Sequence, residues 1–206
     1  MHIQRLADAD LARIQMQLEY DVASPDRFHH KHGTSQRARF VAYRFKTGAA
    51  YYFRDGLAED VVHALQTLPL ERVMNDPAAV YGVLGEGDHG KRVWAGAGYV
   101  FDDCPRSGTS SRVVRRGRDF FACVNGQRVA VAQTTRGDGR AAEVTVETST
   151  RHRRHGHGAA SAQAWARSLL RAGRIPFYSH RGENRASGSL ACALKLRKFC
   201  AIAAYD

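Results

Sequence analysis

Apolar residues recur at helical spacing in four stretches of this chain and at strand spacing in several others. Leu11, Ile14 and Leu18 define a first helix over residues 8–20, with Asp8 or Asp10 available to cap it. A polar loop rich in Ser, Pro and His follows over residues 24–36. Residues 39–45 and 49–53 are aromatic and β-branched enough for strands. Leu57, Val61, Ala64, Leu65 and Leu68 mark a helix that Pro69 stops. Val93–Phe101 is a further apolar strand whose glycines admit a close neighbouring backbone. Residues 102–117 are dominated by Gly, Ser, Pro and Arg and read as a boundary or mobile loop.

Beyond that loop the pattern sharpens. Residues 120–124 and 128–133 flank Asn125-Gly126, a strong hairpin signal, and Gly137-Asp138-Gly139 turns the chain into residues 142–148. There Val144, Val146 and Thr148 alternate with Glu143, Thr145 and Glu147, completing a three-stranded antiparallel meander. A helix over 159–171 buries Ala162, Trp165, Ala166 and Leu169 and ends at Gly173. A short strand at 174–179, a helix at 185–196 and a last strand at 199–205 complete the series.

Composition adds an asymmetry. The 206 residues carry a formal charge of +11, yet residues 106–206 alone hold 19 Lys/Arg against 6 Asp/Glu. Such an excess suggests an anionic partner, although Arg outnumbers Lys 26 to 5, as GC-rich coding would produce. No stretch approaches the ~18–20 apolar residues of a membrane span, and the N-terminus has no apolar signal core, so the expectation is a cytoplasmic, untargeted protein. Cys104, Cys123, Cys192 and Cys200 are scattered without a C-x-x-C pair and read as reduced structural thiols. His29-His30-Lys31-His32 lacks regular ligand spacing and reads as a solvated loop; no metal is expected.

The chemistry concentrates in Arg151-His152-Arg153-Arg154-His155-Gly156-His157-Gly158-Ala159, between an alternating strand and an Ala-rich helix. A helix N-terminus presents unpaired N–H groups and a positive dipole end, which stabilise an anion. Gly156 and Gly158 let the backbone approach a phosphate, and the arginines and histidines strengthen the preference. The P-loop ending and the six-residue dinucleotide fingerprint are both absent.

Arg153-Arg154-His155-Gly156-His157-Gly158-Ala159 resembles the Q/R-x-x-G-x-G/A signature of the GCN5-related N-acetyltransferase (GNAT) superfamily. Val146-Glu147-Thr148 is similar to the V-x-T strand before that signature, Pro176–Ser179 to the following strand, and Asn184-Arg185-Ala186-Ser187 to the N-x-x-S/A opening of the next helix. The resemblance covers residues 119–199. It implies an α/β (α+β) fold with a mixed, mostly antiparallel central sheet flanked by helices and an extended N-terminal part. Residues 106–206 would form the acyl-CoA-binding core. Residues 1–105 would be a degenerate half or a cap on the acceptor side.

The resemblance further implies acetyl-CoA or another acyl-CoA as co-substrate. Arg153, Arg154, His155, Gly156, His157, Gly158 and Ala159 would hold its pyrophosphate, Val146 and Thr148 its pantetheine arm, and Asn184 and Ser187 would lie on the cofactor side. It implies direct acyl transfer to an amine on a small molecule or protein, with Glu143 or Glu147 as base. The tyrosine that often protonates the departing thiolate falls on Ala191, leaving Tyr178, Tyr205 or His180 as acids. The usual Gly-Phe after the last helix is Lys195-Leu196. The chain also ends early, so one C-terminal strand is short, missing or supplied by a partner copy in a homodimer. Two other readings stay open: an enzyme that uses or modifies aminoacyl-tRNA, drawing on the surplus arginines, and a non-catalytic CoA- or nucleic-acid-binding module.

Overall fold

The computed structural model describes residues 3–32, 38–85, 94–103 and 111–206. Helix α1 (Asp8–Glu19) leads into β1 (Tyr20–Val22), β2 (Arg27–His30), β3 (Phe40–Arg44) and β4 (Ala49–Arg54). Then come α2 (Glu59–Thr67), α3 (Leu70–Asn75), α4 (Pro77–Leu84), β5 (Trp94–Val100), β6 (Arg112–Arg116), β7 (Asp119–Val124), β8 (Gln127–Gly137) and β9 (Ala141–Thr148). The chain finishes with α5 (His157–Arg171), β10 (Ile175–Arg181), α6 (Arg185–Ala193) and β11 (Arg197–Tyr205). The fold class is the expected one: a mixed α/β fold whose strands pair mostly antiparallel and are flanked by helices. Among the described residues no helix is long and apolar enough to cross a membrane.

Two compact units emerge, and neither follows a single cut in the sequence. The N-terminal unit comprises Ala7–Gly98, Arg181–Glu183 and Phe199–Asp206. Its strand order is β1-β2-β4-β3-β11, and Phe40, Phe53, Leu65, Val73 and Tyr205 form its core with α2, α3 and α4. Two short helices follow Pro69 where no helical period is legible, because six and eight residues are too few to display one. Asp76 caps the second, accepting from the Ala79 N–H at 3.1 Å.

The C-terminal unit comprises residues 3–6, Tyr99–His180 and Asn184–Lys198. Its strands run β6-β7-β8-β9-β10, with β5 beyond β10. Ala142, Val144, Ala162, Trp165, Ala166 and Tyr178 fill the core between this sheet and α5, and the Trp165 indole N–H donates to Thr134 Oγ1 at 2.9 Å. Asn125 and Gly126 take φ of 49° and 78°, the left-handed pair that a two-residue hairpin between β7 and β8 demands.

Three expectations need correction. Residues 112–116 are a strand, not part of a mobile loop. β6 pairs with β7 from Arg112↔Cys123 to Arg116↔Asp119, closed by Gly117 and Arg118, and the Arg115 guanidinium lies 5.6 Å from the centre of the Phe120 ring. Arginines whose stems cover an aromatic ring behave as strand residues despite their charge. Second, His29 and His30 lie in β2, which pairs with β1 and β4, so the cluster is not a solvated loop. Third, the strand after β10 comes from upstream in the same chain: β5 neighbours β10, and the Phe101 N–H donates to Pro176 O at 3.1 Å. Cys104 and residues 33–37 lie outside the described residues. Cys123, Cys192 and Cys200 are free thiols.

Candidate functional site

The site is built from the edge of β9 and the start of α5. β9 pairs with β8 along its length, from Gly137↔Ala142 to Ala130↔Thr148. On its other side it pairs with β10 in parallel for only three residues, Ile175↔Ala141, Pro176↔Ala142 and Phe177↔Glu143. Beyond Phe177 the pairing stops, although β9 continues to Thr148 and β10 to Arg181. Strand alternation decides which groups face this opening. The Ser149 N–H bonds back to Val129 O on β8 at 2.9 Å, while the Ile175 N–H bonds to Arg140 O at 3.0 Å. Odd-numbered residues of β9 therefore direct their backbone groups to β8, and even-numbered ones to the β10 side. The N–H groups of Val146 and Thr148 thus point into the opening.

The connection from β9 to α5 is a short 3-10 turn over Thr150–His152 followed by two left-handed residues, Arg154 (φ 63°) and Gly156 (φ 80°). Gly156 is the N-cap of α5, without a side-chain cap, and the first turn holds no acidic residue. The first backbone bond into the helix is Ala160 N–H to Gly156 O at 2.9 Å, which leaves the N–H groups of His157, Gly158 and Ala159 directed out of the helix end. Gly158 sits so close to β9 that a Cβ there would lie 2.7 Å from Thr148 Oγ1 and 3.3 Å from Val146 Cγ1. One glycine supplies the left-handed cap and the other brings the helix start onto the strand edge.

Side chains around the turn are basic or neutral. Arg151, Arg153, Arg154 and His155 are exposed. Arg153 Nε donates to Thr148 O at 3.3 Å, which folds that side chain back over the strand end. The His155 and His157 rings stack at 5.9 Å, and His157 Nδ1 lies 2.7 Å from Ser111 Oγ. Burial, then the neighbouring His155 and His152, hold His157 below the usual imidazole range, so it is neutral at pH 7. Among the described residues no group of three His, Cys, Asp or Glu could hold a metal ion.

Asn184 and Ser187 open α6, and their roles there are structural as well: the Asn184 side chain accepts the Ser187 N–H at 3.0 Å as N-cap. Tyr178 reaches the same turn from β10, its hydroxyl donating to Ser187 O at 3.4 Å. Burial pushes the Tyr178 phenol up more than the Ser187 hydrogen bond pulls it down. Around it stand Tyr99 and His180, whose rings stack at 5.4 Å with Tyr99 Oη 3.3 Å from His180 Nε2. Ala191, buried in the same core, leaves α6 without a phenol of its own. Tyr205, by contrast, lies in the core of the N-terminal unit, where its hydroxyl donates to Val73 O and burial pushes it up to about 12.

The two carboxylates share a face of β9 and little else. Glu147 is exposed. Glu143 is buried, its side chain 5% exposed, 2.9 Å from Arg136 Nε and accepting the Ser179 hydroxyl. Arg136 faces Glu143 in the β8–β9 register, and Ser179 reaches it from β10 beyond the paired residues; neither contact could be read from sequence spacing. Ser111 and Tyr99 were missed because their contacts, with His157 and His180, join residues far apart in sequence.

No family model matches the chain, and no curated protein does. Among solved structures it is similar to a GNAT-family acetyltransferase from Colwellia psychrerythraea, over 97% of this chain and 97% of that one, with a TM-score of 0.50 and 9% identity. It is also similar to a GCN5-related N-acetyltransferase from Kribbella flavida, over 61% of this chain and 63% of that one (TM-score 0.44, 17% identity). A third is a tandem GNAT protein from the clavulanic acid biosynthesis pathway, matched over 63% of this chain and 57% of that one (TM-score 0.42, 14% identity). The match spans less than two thirds of the last two proteins. At these identities the likeness is one of fold.

Proposed function

The chain has the fold of the GCN5-related N-acetyltransferases, and from that premise we propose that it transfers an acyl group, acetyl in the simplest case, from acyl-CoA to an amine. One observation carries the reading. The outward N–H groups at the α5 N-terminus and the open edge of β9 are joined by the close approach of Gly158 to Thr148 and Val146. A pyrophosphate suits the first and an extended amide-bearing arm suits the second. In this proposal Gly156, His157, Gly158 and Ala159 hold the pyrophosphate through their backbone. Arg153, Arg154 and His155 add positive charge around it. Val146 and Thr148 pair with the pantetheine amides, and the Asn184–Ser187 turn flanks the thiol end.

The chemistry follows from the two faces of β9. The amine loses a proton to a carboxylate or to a water held by one, then attacks the thioester carbon, and the Val146 N–H stabilises the oxygen that becomes negative. We assign the base to Glu147, which is exposed, and a positioning role to Glu143, whose ion pair with Arg136 and bond from Ser179 hold β8, β9 and β10 together. Collapse of the intermediate forms the amide and releases the CoA thiolate, which takes a proton from Tyr178 on the α6 face. The raised phenol stays protonated at neutral pH and can donate. Tyr178 thus does from β10 what Ala191 does not do from α6.

The test is thiol release. With acetyl-CoA and a panel of amines and amine-bearing peptides, free CoA measured by a thiol reagent should appear only when an acceptor is present. No amine-dependent release across the panel, together with no thermal shift by acetyl-CoA or CoA, would overturn the proposal.

A further inference from the structure

On the C-terminal unit lies an open cavity of about 1030 Å³ whose charged lining is Arg115, Arg118, Arg167, Arg171 and Arg174 against one carboxylate, Asp138. Asp138 is already engaged, since its Oδ1 accepts the N–H groups of Arg140 at 2.7 Å and Ala141 at 2.8 Å. The arginines come from three separate pieces of chain: the β6–β7 hairpin, the second half of α5 and the turn just before β10. Two are aimed by the backbone. Arg115 Nε donates to Gly117 O at 2.9 Å, and Arg174 donates to Ala141 O at 2.9 Å, each leaving further guanidinium N–H groups for a ligand. A helix C-terminus favours a cation, which accounts for Arg171 on α5, but not for Arg115, Arg118 or Arg174.

We propose that this groove binds the sugar–phosphate backbone of a nucleic acid. Guanidinium groups match phosphate geometry in two-point contacts, and a fan of five matches a chain of phosphates better than a single one. Pockets for small molecules are mostly apolar with few polar groups, whereas five of the fourteen residues lining this one are arginines. Its aromatic lining is Phe120, buried beneath the Arg115 guanidinium and closed to base stacking. The groove therefore reads backbone rather than bases, and its binding is independent of sequence. It is also separate from the acyl-CoA site. Arg167 and Arg171 lie ten and fourteen residues along α5 from His157, about 15 and 21 Å at the helical rise. The two sites can be occupied together, and this proposal stands whether or not the chain acylates.

The experiment uses the full chain and fluorescence anisotropy with labelled 20-mers: single-stranded RNA, duplex RNA and duplex DNA of two unrelated sequences each, with polyglutamate as competitor. Binding should be sequence-independent, and its logarithm should fall with log salt at a slope of about −3 to −4 for four or so phosphate contacts. Arg118→Gln/Arg167→Gln/Arg171→Gln should weaken binding at least tenfold and flatten the slope by about two. It should keep the parent's melting temperature and its thermal shift with acetyl-CoA. Arg5→Gln/Arg13→Gln/Lys46→Gln, with the same loss of net charge elsewhere, should bind within twofold of the parent. A preference among the duplexes identifies RNA or DNA as the source of the backbone. Equal binding by both triple variants, polyglutamate competing as well as nucleic acid, or no binding at low salt would each overturn the proposal.

Discussion

Replacing Gly158 with alanine drives a methyl group into β9. The added carbon would lie 2.7 Å from Thr148 Oγ1 and 3.3 Å from Val146 Cγ1, both on β-branched side chains that cannot swing aside freely. Overpacking of this kind costs ~1–3 kcal/mol. The better helix propensity of alanine returns up to ~1 kcal/mol, less in a first turn. The net expectation is a loss of about 1.5 kcal/mol, or roughly 3–6 °C in melting temperature for a chain of this size. Relief by tilting α5 away from β9 would also move the outward N–H groups, so acetyl-CoA affinity should drop at least tenfold. Thr148→Ala removes the tighter of the two contacts. In a double-mutant cycle by thermal melting, Gly158→Ala and Thr148→Ala should therefore couple favourably by about 1 kcal/mol. A coupling within ~0.3 kcal/mol of zero, or a Gly158→Ala variant that binds acetyl-CoA like the parent, refutes the reasoning.

Other outcomes follow from individual residues. Asn184→Ala removes the N-cap of α6 and should cost ~1 kcal/mol, read as a 2–4 °C lower melting temperature, while Asn184→Asp should restore it. Tyr178→Phe should lower kcat by about 10²-fold or more with little change in KM, and should abolish an alkaline limb of the pH profile that lies above the ordinary phenol value of ~10. Burial and then Arg54 hold His30 below the usual imidazole range, as burial and its histidine neighbours do His157. The unfolded chain thus binds more protons than the folded one just below pH ~6.5, and stability should fall as pH drops from about 7.5 to 5.5. His30→Gln should flatten that slope in melting curves.

Much of the C-terminal unit was legible because local rules and tertiary packing agree there. Asn125-Gly126 demands its hairpin, the 144/146/148 alternation matches the face that packs on Trp165, and Gly173 ends α5 with φ of 69°. The turn at 153–159 was readable for a different reason. Gly156 and Gly158 answer two separate geometric needs, the left-handed cap of α5 and the close approach of its first turn to β9. What stayed hidden depends on long-range register. The union of Glu143 with Arg136 and Ser179 arises from which strands lie side by side, and the approach of Tyr178 to Ser187 from where α6 packs on β10. The place of β5 beside β10 reverses sequence order, and no local pattern encodes it. Lys195 was visible as a departure from the Gly-Phe pattern, yet it takes a left-handed conformation that glycine adopts more readily, with φ of 53°. The Leu196 N–H still closes the helix end on Ala191 O at 3.1 Å.

The account rests on a strand edge and a helix start acting together on one ligand. A crystal structure of the full chain with acetyl-CoA tests that most directly. The pyrophosphate should sit on the N–H groups of His157, Gly158 and Ala159, with the pantetheine arm along Val146 and Thr148 and the thioester oxygen facing the Val146 N–H. Acetyl-CoA bound elsewhere, or a closed β9 edge with the α5 N-terminus capped by another group, would contradict it.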